Sequence, residues 1–217
     1  MRLAVAATLF LTLLHPSRAS NLDVDALIQR LAKPAPATID FKEWRFSALL
    51  EEPLTVSGEL RYLAADHLER FVQQPYREKT IIRGESVRVE RHGEKLRTFA
   101  LKRAPELKGL LSAFGALLAG DSSAVEKNFE ISTSGDAERW ELTLIPRDTR
   151  ARQHIAQLIV TGAGGEPSCL MMGKAGESQS IMMFADRAQR ESPSDLSPTG
   201  VSLQQLESIC RSELPAR

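Results

Sequence analysis

The stretch LTVSGELRYLAADHLERFVQQPYREKTIIRGESVRVE, residues 54–90, decides how the rest of the chain reads. Leu54, Val56, Leu60 and Tyr62 alternate with Thr55, Ser57, Glu59 and Arg61, the period of a strand with one dry and one wet face. Leu68 and Phe71 carry a second segment, residues 80–82 a third, and Gly84-Glu85 turns the chain into a fourth that holds Val87 and Val89. The pattern predicts an antiparallel meander. Its apolar face needs a cover, and a helix, a second sheet or a ligand can supply one.

Towards the N-terminus, Ile39, Phe41, Trp44 and Phe46 predict a further strand, reached through an extended stretch set by Pro34 and Pro36. Leu22, Val24, Leu27, Ile28 and Leu31 have the spacing of a short amphipathic helix with Asn21 as its cap. Towards the C-terminus, Arg97, Phe99 and Leu101 continue the sheet. Pro105 then opens the one strong internal helix, which runs to Gly120 with Leu107, Leu110, Leu111, Phe114, Leu117 and Leu118 at helical spacing. Strands resume at Phe129 and Ile131, turn at residues 134–136, and return through Trp140, Leu142 and Leu144 to Pro146. Residues 153–161 read as another strand. The segments Cys169 to Met172 and Ile181 to Phe184 form a hairpin apolar on both faces, so it is expected to be buried on two sides. Residues 186–217 read as a polar loop followed by a short helix through Leu203, Leu206, Ile209 and Cys210.

Residues 1–19 stand outside this pattern. Arg2 precedes an apolar run from Leu3 to Leu14, and Ser17-Arg18-Ala19 is a small-x-small cleavage site, so residues 1–19 read as a signal peptide cut after Ala19. That leaves residues 20–217 as one exported domain with enough apolar residues for a sizeable core. The 28 basic and 28 acidic residues balance, and losing Arg2 and Arg18 leaves 26 against 28, so bulk charge offers no case for nucleic acid. Cys169 and Cys210 are an even pair, which in an oxidising compartment predicts one disulfide; the alternative is two buried free thiols.

Enzyme motifs are missing: no GxSxG, P-loop, HExxH or GxGxxG occurs, and His67, His92 and His154 are scattered over polar segments. No catalytic residue, cofactor or metal is expected. Met171, Met172, Met182 and Met183 suit an adaptable apolar surface, with thioether ligation of Cu(I) as the sharper alternative. The basic residues from Arg88 to Arg103 read as a solvated hairpin rim, the alternative being contact with anionic head groups or a partner.

The succession of leader, short helix, Phe-rich strand, SGELRYLAADHLERFVQQPYREKTIIRGESVRVE, the helix LLSAFGALLAGD and FEISTSGDAERWELTLIPRD resembles the periplasmic outer-membrane lipoprotein carrier (LolA) family over residues 22–185. The resemblance implies a mainly β, α+β fold: an unclosed antiparallel half-barrel whose concave apolar face is covered by helices. It implies a periplasmic, non-enzymatic carrier that receives lipoprotein acyl chains or another lipid from an inner-membrane donor and passes them to an outer-membrane acceptor, acting as a monomer. An envelope sensor of the same fold, working by protein contact, is the rival. The lipid cavity would be lined by Leu60, Tyr62, Leu68, Phe71, Val87, Val89, Phe99, Trp140, Leu142 and Leu144, with Leu110, Leu111, Phe114 and Leu118 as its lid. In the carriers the Gly-x-Leu strand runs on into Lys/Arg-Arg-Pro, whose arginine latches the lid; here those positions are Leu63, Ala64 and Ala65. This departure implies a divergent branch with its own cargo.

Overall fold

The computed structural model describes residues 22–173, 179–184 and 200–212, apart from the side chains of Glu106, Leu107 and Leu110. The leader with its cleavage site, and residues 186–199 of the expected C-terminal loop, lie outside them.

Eleven antiparallel strands form one sheet in the order β6-β5-β4-β3-β2-β1-β11-β10-β9-β8-β7. The first meander comprises β1 (Ala37–Phe46), β2 (Leu54–Ala64), β3 (His67–Gln74), β4 (Glu78–Arg83), β5 (Ser86–Arg91) and β6 (Arg97–Ala100). The second comprises β7 (Phe129–Gly135), β8 (Arg139–Pro146), β9 (Gln157–Ala163), β10 (Glu166–Gly173) and β11 (Gln179–Phe184). β11 returns to pair with β1, while β6 and β7 remain as the two outer edges. The sheet is therefore an unclosed half-barrel, as expected.

This topology dictates where the main helix lies. After β6 the chain must travel from one edge of the sheet to the other, and it does so through a 3-10 turn (Leu101–Arg103), α2 (Pro105–Ala119) and α3 (Ser122–Asn128), following α1 (Val24–Leu31). The 15 residues of α2 span about 22 Å. Pro105 starts α2 without needing a backbone N–H, and Gly120 ends it at φ +69°. Leu27, Ile28, Ala113, Leu117 and Val125 from the three helices pack with Phe41, Val56, Leu60, Trp140, Leu142 and Leu144 into one core on the concave side.

Three local readings need correction. Asp23, rather than Asn21, caps α1, its carboxylate accepting from the N–H groups of Asp25 and Ala26. α3 and α4 (Thr149–His154) occupy segments where no helix is expected, and the strand read from residue 153 begins at Gln157. Each of these short helices is anchored by an aspartate cap, Asp121 and Asp148, and α4 buries no residue of its own, so neither leaves an apolar periodicity to find.

Gly58 explains its own motif. A bulge between Ser57 and Gly58 shifts the β2–β3 register, and a Cβ on Gly58 would fall 1.8 Å from the Phe71 carbonyl oxygen. No side chain fits there, and glycine allows the two backbones their close approach at the bulge.

The convex face carries a second core. Trp44, Ile159, Met171, Ile181 and Met183 are covered by α5 (Leu203–Arg211), which places Leu206 and Cys210 against them. Cys169 and Cys210 form a disulfide, and Arg211 Nε donates to Glu141 Oε2 at 2.9 Å beside it. The β10–β11 hairpin is thus buried on both sides, with Leu170 and Met182 inward and Met171 and Met183 outward. Adjacent methionines fall on opposite faces of the sheet, which does not assemble the four thioethers into one ligand set.

Candidate functional site

Residues directly opposed across a strand pair share a face. Ala37, Ile39, Phe41, Glu43 and Arg45 stand opposite Tyr62, Leu60, Gly58, Val56 and Leu54. Arg70 and Leu68 stand opposite Leu60 and Tyr62, and Val89 opposite Arg97. All of these belong to the concave face. Around β7, β8 and β9 the helices fill that face with packed side chains; over β1 to β6 and the neighbouring parts of β10 and β11 they leave it partly unfilled.

The first hollow, about 350 Å³, lies beneath α2. Ala37, Ile39, Leu60, Tyr62, Leu68 and Phe184 form its floor and walls, and Phe114 and Leu118 its roof. The Phe114 ring meets Phe184 edge-on, with centroids 6.1 Å apart. At its rim the ammonium of Lys33 pairs with the Glu166 carboxylate. α2 approaches the β2–β3 turn so closely that a Cβ on Gly115 would sit 2.7 Å from the Ala65 carbonyl oxygen. The roof helix is seated by backbone contact at the very turn where the lipoprotein carriers were expected to place a latching arginine.

A second hollow of about 240 Å³ adjoins the first, with Leu60 and Leu68 lining both. Its walls are charged. Glu43, 3% exposed, accepts at Oε2 from Arg70 Nη2 at 2.6 Å and Arg45 Nη2 at 3.0 Å. The Arg70 guanidinium also lies 4.7 Å from the centre of the Phe41 ring. Glu78 accepts from Arg91 at 2.7 Å, and Arg97 reaches the same hollow from β6. Burial pushes the Glu43 carboxyl up, but the charges and hydrogen bonds of Arg45 and Arg70 outweigh it and hold the group below its ordinary value. For Arg70 burial wins, and its pKa is lowered despite Glu43.

The expected cavity residues divide into four groups. Leu60, Tyr62, Leu68, Phe114 and Leu118 line the 350 Å³ hollow, and Val89 lines the charged one. Val87, Phe99 and Leu111 pack together in a cluster at the β4–β6 end, outside both walls. Trp140, Leu142 and Leu144 face the concave side but are fully buried under the helices, with the Trp140 indole N–H donating to the Gly164 carbonyl, so they are solid core rather than lining. Phe71 lies on the convex face opposite Glu59 and Lys79. Leu68 and Phe71 are three residues apart, and in a strand of period two they cannot share a face. Arg61 and Lys79 flank the Phe71 ring at 4.3 and 4.8 Å, within an open, charged trough of about 770 Å³. The Leu110 side chain lies outside the described residues.

Sequence reasoning missed Ala37, Phe184 and the charged wall. Glu43 and Arg45 alternate with Trp44 and Phe46, and both faces of β1 are covered, so spacing alone does not say that the charges point inward.

Among the solved structures similar to this chain are the following three. A LolA superfamily protein from Nitrosomonas europaea is 8% identical, with a TM-score of 0.42 over 74% of this chain and 89% of that one. LprF from Mycobacterium bovis is 8% identical at 0.37, over 75% and 91%. The MucA/MucB complex of Pseudomonas aeruginosa is 12% identical at 0.37, over 74% and 54%. No curated protein matches. Residues 16–197 match the family described as outer membrane lipoprotein carrier protein LolA-like. On that match, spanning all eleven strands of a sheet whose hollow lies under a crossing helix, the chain belongs to the LolA-like family.

Proposed function

We propose that this protein is a periplasmic carrier that shelters acyl chains of a lipoprotein or another lipid beneath α2 and moves them between membranes, as a monomer and without catalysis. It reaches the periplasm by cleavage of residues 1–19 after Ala19, taking its guest from an inner-membrane donor and releasing it to an outer-membrane acceptor. One observation carries the reading: the apolar hollow of about 350 Å³ between Leu60, Tyr62 and Leu68 below and Phe114 and Leu118 above, a size within the usual range of ligand sites. Each methylene taken from water contributes about 0.8 kcal/mol, so ten contribute roughly 8 kcal/mol. A bilayer offers the same environment, so such a guest is released without a chemical step.

Uptake of a fluorescent fatty acid or lipopeptide by the purified protein tests this. Leu118→Arg sets a cation in the roof and is expected to abolish uptake while leaving circular dichroism near normal. Unchanged uptake by that variant would refute the site. Lipid extraction followed by mass spectrometry identifies the cargo; an inner-membrane protein captured with no lipid recovered would favour the sensor reading, which the cation-flanked Phe71 on the convex face would serve.

A further inference from the structure

Charge on the dry side of a sheet is costly unless it is compensated. Strand alternation nevertheless places Arg45, Arg70 and Arg97 on the same face as Phe41, Leu60 and Val89. The compensation within the chain is incomplete. Arg45 and Arg70 share a single oxygen of Glu43. The Glu78 carboxylate lines the same hollow and attracts Arg45 and Arg70 at longer range, but its hydrogen bonds go to Arg91, a further guanidinium. Arg97 has no carboxylate partner among the described residues. Arg70 is 11% exposed at its side chain and, among the described residues, its one hydrogen-bond partner is Glu43, which leaves most of its five donors free for a guest. The positive excess therefore sits inside a hollow whose remaining walls, Ile82, Val89, Leu170, Met172 and Met182, are apolar.

We propose that the guest of this groove is an anionic amphiphile, its carboxylate, phosphate or sulfate head received by Arg97 and Arg70 in the charged hollow and its hydrocarbon chain lying beneath α2. This rests on the carrier reading and adds the chemical class of the head. The geometry sets the direction of entry. A shallow hollow of about 550 Å³ shares Glu43, Arg45, Met172 and Ser180 with the charged one and opens to solvent between Leu50 and Leu54 of the β1–β2 hairpin and His154 of α4. The chain passes inward past Leu60 and Leu68, and the head stays in the charged hollow, whose walls carry Arg70 and Arg97. A planar guanidinium forks onto carboxylate or phosphate oxygens, and in a site partly closed to water such a bond is strong.

Isothermal titration with palmitate, 1-hexadecanol, hexadecyltrimethylammonium and inorganic phosphate at pH 8 tests the assignment. Palmitate is expected to bind roughly tenfold to a hundredfold more tightly than hexadecanol, the cationic amphiphile more weakly than either. Arg97 lies exposed on an edge strand, so Arg97→Gln leaves the core intact, and it should bring the palmitate-to-hexadecanol ratio towards one. Equal affinity for palmitate and hexadecanol would overturn the head-group assignment and leave the carrier reading standing, as would a ratio unchanged in both Arg97→Gln and Arg70→Gln. Phosphate binding as tightly as palmitate would replace the amphiphile with a free anion. Binding of none of the four would overturn the carrier reading and this assignment together.

Discussion

Replacing Glu43 by Gln removes the one negative charge between Arg45 and Arg70. Glu43 is 3% exposed, and its Oε2 lies within 2.6 and 3.0 Å of the two guanidiniums, so the variant leaves the nearly buried Arg70 and the half-buried Arg45 without their shared anion. Breaking a buried pair costs about 3–5 kcal/mol; the glutamine carbonyl keeps one acceptor, which puts the expected loss near the lower end, about 3 kcal/mol. With a urea slope of about 3 kcal/mol per molar, the midpoint falls by about 1 M. The pH dependence has a definite sign. The folded carboxyl titrates below its ordinary value of 4.5, so its stabilisation is complete above that pH and is lost as pH falls through the folded value. Wild type and Glu43→Gln should therefore differ most at pH 7 and converge on acidification below 4.5. Urea denaturation of both proteins from pH 7 to pH 3 measures this, with Glu43→Leu/Arg70→Met as a control that removes both charges and recovers most of the loss. A loss under about 1 kcal/mol at pH 7, or a gap that stays constant down to pH 3, would refute the reasoning.

Cys210→Ser frees α5 from β10; opening a cross-link over a sequence separation of 41 should cost about 4 kcal/mol, read as a matching drop between oxidised wild type and variant in chemical denaturation. Gly115→Ala gains about 1 kcal/mol in helix propensity yet forces a Cβ to 2.7 Å from the Ala65 carbonyl oxygen, so the net effect is expected to be a lower melting temperature, and a higher one would show that α2 is not seated on that turn. Gly58→Ala meets the Phe71 carbonyl at 1.8 Å and should cost more than Gly115→Ala, with hydrogen exchange of the β2–β3 amides accelerated; unchanged protection there would refute the role given to the bulge.

Most of the framework was legible because alternation and turn residues record it directly. Leu54, Val56, Leu60 and Tyr62 announced β2, and the spacing from Pro105 to Gly120 fixed α2 to within one residue. What stayed hidden was which residues the helices press on. Trp140, Leu142 and Leu144 have the same pattern as Leu60 and Tyr62, and the positions of the three covering helices make the first set solid and the second set a wall. Phe71 shows a different loss: its apolar character pointed inward, although its distance from Leu68 already placed it outside. The inward charges of β1 were invisible because Trp44 and Phe46 on its other face are also covered, here by α5 and its neighbours.

The two meanders, residues 37–100 and 129–184, touch along one short seam, Phe41–Phe46 against Gln179–Phe184, and are otherwise spanned by the segment that crosses over them. They resemble the covers of a book bound at one spine. Phe184, at the end of that spine, also forms part of the wall around the hollow. A guest seated as proposed would therefore rest against the very seam that joins the two covers.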